Sequence, residues 1–289
     1  APLGAGCGGT AGGAGHRGIV SSALSGMPLK TDLTSAMAPT PPSGARFDAV
    51  DTLRGFAMVW MTVFHFCFDL SHFGYCPQDF RHDLFWTVQR TAIVSLFLFC
   101  AGLGQSIAWH QGQGWARFGR RWVQIAGCAL LVSVGSWLMF PRSYIHFGVL
   151  HGMAVMLVLT RLTAPWGRWL WPAGAVALAL PHLAQWALTE PLAAWAPWFN
   201  GKGLNWLGLV ARKPFTEDYV PVFPWLGVMW WGLASGQWLL RHHSSVLQRP
   251  LGAALRPLAV LGRWSLSYYM LHQPVMIGGL MAVGWMLGR

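Results

Sequence analysis

Apolar residues run in long blocks along this chain, parted by short polar segments. Seven blocks stand out, near 53–71, 85–109, 123–140, 145–161, 169–187, 222–240 and 258–287. Most approach or exceed the roughly 20 residues that a helix needs to cross a hydrocarbon core of ~30 Å. Within them apolar residues occupy every face of a helix instead of one stripe, the pattern of a helix surrounded by lipid and other helices. The fold class read from this is all-α: a polytopic transmembrane helix bundle of about seven or more spans. The segment 188–221, LTEPLAAWAPWFNGKGLNWLGLVARKPFTEDYVP, breaks the pattern. Its Trp and Lys content predicts a loop that lies on the membrane surface or re-enters the bundle. Residues 1–45 are rich in Gly, Ala, Ser, Thr and Pro without periodicity, so a disordered tail is expected ahead of a membrane domain at 46–289. No apolar core follows a basic start there, so a signal peptide is not expected.

Composition sharpens this picture. Of 289 residues, 54% are hydrophobic and only 10% charged, where a soluble domain carries roughly a quarter charged. The net charge of +11 raises the question of nucleic acid. No basic block with interleaved aromatics occurs, however, and nucleic-acid binding is excluded on that ground. The basic residues follow the positive-inside distribution instead. With the N-terminus in the cytoplasm, the inner loops carry Arg117, Arg120, Arg121, Arg161, Arg168, Arg241, Arg249, Arg256 and Arg263 and no acid. The outer loops carry Arg81, Arg142, Lys202, Arg212 and Lys213 beside Asp79, Asp83, Glu190, Glu217 and Asp218. The cysteines, Cys7, Cys67, Cys76, Cys100 and Cys128, show no CxxC or Cys/His metal spacing, and no metal is expected.

Ionisable groups inside such helices are costly and mark function by default. The first block, RFDAVDTLRGFAMVWMTVFHFCFDLSHF, holds most of them. Asp51 and Arg54 are three apart, share a helix face and can pair. Arg54 suits a phosphate or pyrophosphate at the cytoplasmic mouth. His65 follows eleven residues later, roughly 16 Å along a helix, about the middle of the membrane. Asp69, one turn on, can hold one imidazole nitrogen and leave the other as a base. In the second block Gln89 and Arg90 stand near the outer start, with Arg90 a candidate partner of Asp69. His146 and His151 flank FGVL in the fourth, His151 the deeper. His272 precedes Pro274 in the last, where satisfying a backbone carbonyl freed by the proline is an alternative to catalysis. His242 and His243 lie in a basic loop and read as solvated.

In order along the chain stand RFDAVDTLRGFAMVWMTVFHFCFDL, FLFCAGLG, IHFGVLHGMAV, VPVFPWLGVMWWGLASG and LGRWSLSYYMLHQPV. Together these resemble the bacterial members of the heparan-alpha-glucosaminide N-acetyltransferase catalytic-domain family over about residues 46 to 289. DTLRG with its following His, and SYYMLHQPV, are also similar to the broad acyltransferase-3 family. The resemblance implies a donor, usually acetyl-CoA, entering from the cytoplasm, and an acceptor, usually a sugar, on the other side. It implies that Arg54 lies near the donor and that His65 is the essential His of the acyltransferase-3 branch. His82, in FRHDLFW, matches the region of the catalytic His in the lysosomal branch, which lacks a His at the position of His65. The large luminal domain and extra spans of the lysosomal enzyme are not expected here, and heparan sulfate is not the expected acceptor.

The reading is therefore an integral membrane acyltransferase of a bacterial inner membrane. Its catalytic candidates are His65, Asp69, His82 and His151, and its donor-binding candidates are Arg54, Asp51 and Arg90. Its partners would be the lipid bilayer, an acyl-CoA and a sugar-like acceptor; oligomerisation stays open. A proton-coupled transporter is the alternative, since buried carboxylates also mark proton relays, although no internal repeat supports it.

Overall fold

A computed structural model describes residues 47–139, 141–248 and 252–288. The predicted tail at 1–45 lies outside the described residues, as do Cys7 and Arg249. The described chain is helical, with no strand beyond one isolated bridge between Phe147 and Tyr219. Its α-helices are α1 (Asp48–His72), α2 (Leu84–His110), α3 (Trp115–Met139), α4 (Val149–Thr163), α5 (Leu170–Thr189), α6 (Ala196–Asn200), α7 (Val222–His242), α8 (Ser244–Gln248), α9 (Arg256–Arg263) and α10 (Ser265–Met286).

Local chemistry sets the ends. Asp48 and Asp51 sit in the first turn of α1, where the helix dipole favours negative charge. Asp83 caps α2, its carboxylate accepting from the Phe85 amide. A single 3-10 turn over Ala164–Trp169 joins α4 to α5, and Gly167 there takes φ 57, a conformation that glycine adopts without a steric penalty.

Among the described residues, four helical segments are long and apolar enough to cross a membrane: Asp48–His72, Leu84–His110, Trp115–Met139 and Val149–Thr189. The last contains two of the predicted spans. Where the other two were predicted stand α7 and the α9–α10 pair. The Trp, Gly, Gln and His of α7 and α10 lower their mean hydropathy. Two boundaries differ from the sequence reading. Helix α3 begins at Trp115, so Arg117, Arg120 and Arg121 lie on its opening turns and not in a loop; arginine is a good helix former, and its long stem lets the charge reach the interface. The final predicted span is broken at Trp264.

The core sits between α2, α4 and α7, around Leu98, Met156, Leu226 and Met229. Helix α1 lies against α2, α9 and α10, and α5 lies against α7. Helix α3 leans chiefly on α4 and exposes Leu130, Leu131, Val134 and Leu138. The segment 188–221 divides into two parts. Trp195 and Trp198 are exposed. Beyond them the chain folds back onto the segment before α4, with Thr216 Oγ1 donating to the Tyr144 carbonyl (2.9 Å) and the Glu217 amide to the Ser143 carbonyl (3.0 Å).

Candidate active site

Thr62, His65 and Asp69 fall on one face of α1, at spacings of three and four residues. Tyr268, His272 and Gln273 meet them from α10. The Thr62 and Tyr268 hydroxyls are 2.7 Å apart. The His65 and His272 rings lie 5.3 Å apart between centroids, tilted by 59°. Gln273 Nε2 donates to Asp69 Oδ1 at 2.8 Å. Two helices nearly 200 residues apart in sequence thus share one polar seam inside an otherwise apolar contact.

The seam is incompletely satisfied. Asp69 and His272 are buried, yet Asp69 Oδ2, His272 Nε2 and Gln273 Oε1 have no hydrogen-bond partner among the described residues. Buried polar groups are nearly always paired, so three unpaired atoms at one place make this seam the candidate site. The tautomer of His272 follows from its other nitrogen. Nδ1 lies 2.7 Å from the Tyr269 carbonyl, which can only accept, so Nδ1 carries the proton and Nε2 presents a lone pair. His272 therefore does bind a backbone carbonyl, although that of Tyr269 and not that of Met270, the one Pro274 frees.

Two expected contacts are not made among the described residues. Asp69 does not hold His65: its short side chain is drawn across to Gln273, and His65 packs instead on the edge of Phe64 and beside His272. Arg90 does not pair with Asp69. It belongs to the far end of the bundle from Arg54, because α2 runs opposite to α1. There it acts on Asp218 and Lys213.

At the opening of α1, Arg54 Nη1 pairs with Asp51 Oδ1 at 3.0 Å. Arg263 of α9 reaches both Asp48 (2.6 Å) and Asp51 (3.7 Å). This end gathers two guanidiniums around two carboxylates, with the Arg54 tip close to Gly104 of α2.

The remaining histidines are placed differently. His151 has both ring nitrogens engaged, Nδ1 accepting from the Gly148 amide (3.3 Å) and Nε2 lying 3.1 Å from Ser133 Oγ. It caps α4. His82 stands on the loop between α1 and α2 with 84% of its side chain exposed, paired with Asp79 at 3.0 Å. The backbone amides of His82 and Arg81, and the His82 ring, hold the Asp79 carboxyl below its usual range. No contact joins His82 to His65 among the described residues.

The structure adds residues that sequence reading passed over. Gln273 and Tyr268 were inside the quoted SYYMLHQPV motif, but nothing in the sequence said which helix they face. Asp218 was counted only as a loop acid. Its Oδ2 accepts from the Val149 amide at 2.8 Å, so it caps α4 from a distant loop. Burial pushes its carboxyl above the usual range, against the pull of that amide and of Arg90 and Lys213. Among the described residues no three His, Cys, Asp or Glu side chains gather as a metal site would require.

The sequence profile of the family described as "Heparan-alpha-glucosaminide N-acetyltransferase, catalytic" matches residues 46–274. No curated protein matches the chain. No solved structure matches it either.

Proposed function

Because the chain belongs to the heparan-alpha-glucosaminide N-acetyltransferase catalytic family, a family of membrane acetyltransferases, we propose that it moves an acetyl group from cytoplasmic acetyl-CoA to an extracytoplasmic sugar or similar acceptor. The domain would run over 46–289 with seven spans and a cytoplasmic N-terminus, in a bacterial inner membrane. The observation that supports this reading is the polar seam between α1 and α10, where His65 lies beside His272 and buried polar atoms of Asp69, His272 and Gln273 are unpaired among the described residues.

In this reading His65 takes the proton from the acceptor hydroxyl or amine as that group attacks the thioester carbonyl. The C–S bond breaks, the imidazolium returns the proton, and free CoA thiol leaves. The lone pair on His272 Nε2 faces the same space and would steady the incoming acceptor or the imidazolium. Asp69 and Gln273 would position the acceptor by hydrogen bonds. General-base assistance of this kind is commonly worth ~10²–10⁴-fold. A transporter reading has no support from the family.

The donor would enter at the other end of α1. Arg54 lies roughly 16 Å from His65 along the helix, a span that a pantetheine arm can bridge. Arg54→Ala is expected to weaken acetyl-CoA binding and Arg54→Lys to keep part of it, since an ammonium retains the charge but not the planar fork. Equilibrium binding of labelled acetyl-CoA to the purified protein checks this. Unchanged affinity in both variants would remove Arg54 from the donor site.

Orientation has its own test. A cysteine replacing Lys202 is expected to react with an impermeant maleimide on intact cells, as the exposed native Cys76 should. One replacing Gly114, in a background without Cys76, is expected to react only after the membrane is opened. The reverse pattern would invert the topology.

A further inference from the structure

The two hydroxyls of the α1–α10 seam form a chain with one direction. Thr62 Oγ1 lies 2.8 Å from the Met58 carbonyl, which can only accept, so the threonine proton points there. The Tyr268 hydroxyl, 2.7 Å from Thr62 Oγ1, is then the donor to it. One end of the Tyr268 side chain is thereby tethered to α1. Its ring face lies along His272, four residues further on in α10. The two planes are inclined by only 9° and their centroids are 6.0 Å apart, an offset stack. An imidazole held by one hydrogen bond can still pivot about that bond. His272 has such a bond, from Nδ1 to the Tyr269 carbonyl at 2.7 Å, and the Tyr268 ring lies against the face that would have to turn. His65 is next in line, its centroid 5.3 Å from that of His272.

We propose that Tyr268 is a positioning residue: anchored by Thr62, its ring fixes the plane of the His272 imidazole, and so the direction of the Nε2 lone pair beside His65. Its part in acetyl transfer rests on the acetyltransferase reading above; the fixing of the imidazole does not. The tether and the stack act at opposite ends of one rigid ring, so a displacement of α10 along α1 would break the hydroxyl bond and swing the ring away from His272. Tyr268 also packs against the apolar cluster of Met58, Met61 and Ile93. Its variants are therefore expected to lose some stability whatever happens at His272, and a readout on the imidazole itself is needed.

The full chain is purified with an NMR-active nitrogen isotope in its histidine rings, and the His272 signals are assigned by their loss in His272→Gln. Wild type is expected to show His272 in one tautomer, protonated at Nδ1 with Nε2 bare. Tyr268→Phe keeps the ring and should keep that spectrum. Tyr268→Leu removes the ring, and its His272 signals should move toward the average of the two tautomers. In acetyl transfer from labelled acetyl-CoA to glucosamine, kcat of Tyr268→Leu should fall ~10- to 100-fold, the order of loss that misplacing a group brings, with KM for acetyl-CoA unchanged and most of the rate kept by Tyr268→Phe. Should Tyr268→Leu fail to fold by gel filtration, Thr62→Val serves instead. It leaves the tyrosine hydroxyl without its acceptor and should disturb the His272 signals, and adding Tyr268→Phe, which removes that donor, should restore them. Mixed tautomers in wild type, wild-type His272 signals in a folded Tyr268→Leu, or a Thr62→Val spectrum identical to wild type would each overturn the inference. The spectra are recorded without substrate, so a wild type that transfers no acetyl group would defeat the acetyltransferase reading while the spectra still decide the role of Tyr268.

Discussion

His65→Ala is expected to abolish acetyl transfer while acetyl-CoA still binds. The geometry sets this separation. His65 sits two turns before the end of α1, and Arg54, the proposed donor contact, lies three turns away near the helix start. Removing the imidazole takes away a base worth ~10²–10⁴-fold without disturbing the charged cluster around Asp51 and Arg263. Asp69→Asn is expected to lose most of the rate by a different route from the one its spacing suggested. Asp69 is tied to Gln273, so the amide would disturb the hydrogen bonds of the seam and not the tautomer of His65. His272→Ala should also be severely impaired, since its buried Nε2 has no hydrogen-bond partner among the described residues while its Nδ1 is held by the Tyr269 carbonyl. His82→Ala should keep most of the activity, because that ring is 84% exposed and its partner is a loop carboxylate. Single-turnover transfer from labelled acetyl-CoA, with donor binding measured alongside, separates these outcomes. A dead His82→Ala beside an active His65→Ala would sink the assignment and place the chemistry on the loop.

How far the sequence could be read depended on the range of the interaction concerned. Blocks of apolar residues marked the helices well, because a helix must satisfy its backbone within one segment in lipid. The Asp51–Arg54 pair was legible because it is three residues long. Which faces of the helices meet was not. An apolar-all-round helix carries no stripe to say where its neighbours are, so Asp69 was paired in expectation with groups that seemed near it, His65 and Arg90. Its actual partner, Gln273, lies on a helix that no local rule connects to α1. Asp218 illustrates the same limit from the loop side. A distant carboxylate capping α4 leaves no trace in the α4 sequence, which begins after a glycine. His151 was singled out for its depth, and the structure gives it a second cap on the same helix end.

Gly102→Leu is expected to prevent assembly of the bundle, and even Gly102→Ala to cost stability. The helices α2 and α7 form the central contact of the fold, and they approach through glycines. A Cβ on Gly102 would overlap the Met229 carbonyl oxygen and come within 2.7 Å of the Leu233 nitrogen. One on Gly232 would overlap the Phe99 carbonyl oxygen. These neighbours are backbone atoms, so no rotamer change relieves the clash; the helices must move apart. In a membrane such close approach is itself a source of stability, since lipid chains are as apolar as the side chains and packing must replace a hydrophobic drive. Overpacking a core with small additions typically costs ~1–3 kcal/mol, and a leucine here adds far more than a methyl group. Gly127 on α3 provides the contrast: a Cβ there meets nothing within 4 Å. Gly127→Ala should therefore be neutral or gain up to ~1 kcal/mol from helix propensity. Melting temperatures in detergent, with gel filtration to detect misassembly, distinguish the two sites. A Gly102→Ala protein that melts with wild type, beside a Gly127→Ala protein that falls apart, would mean that α2 and α7 do not meet as closely as described.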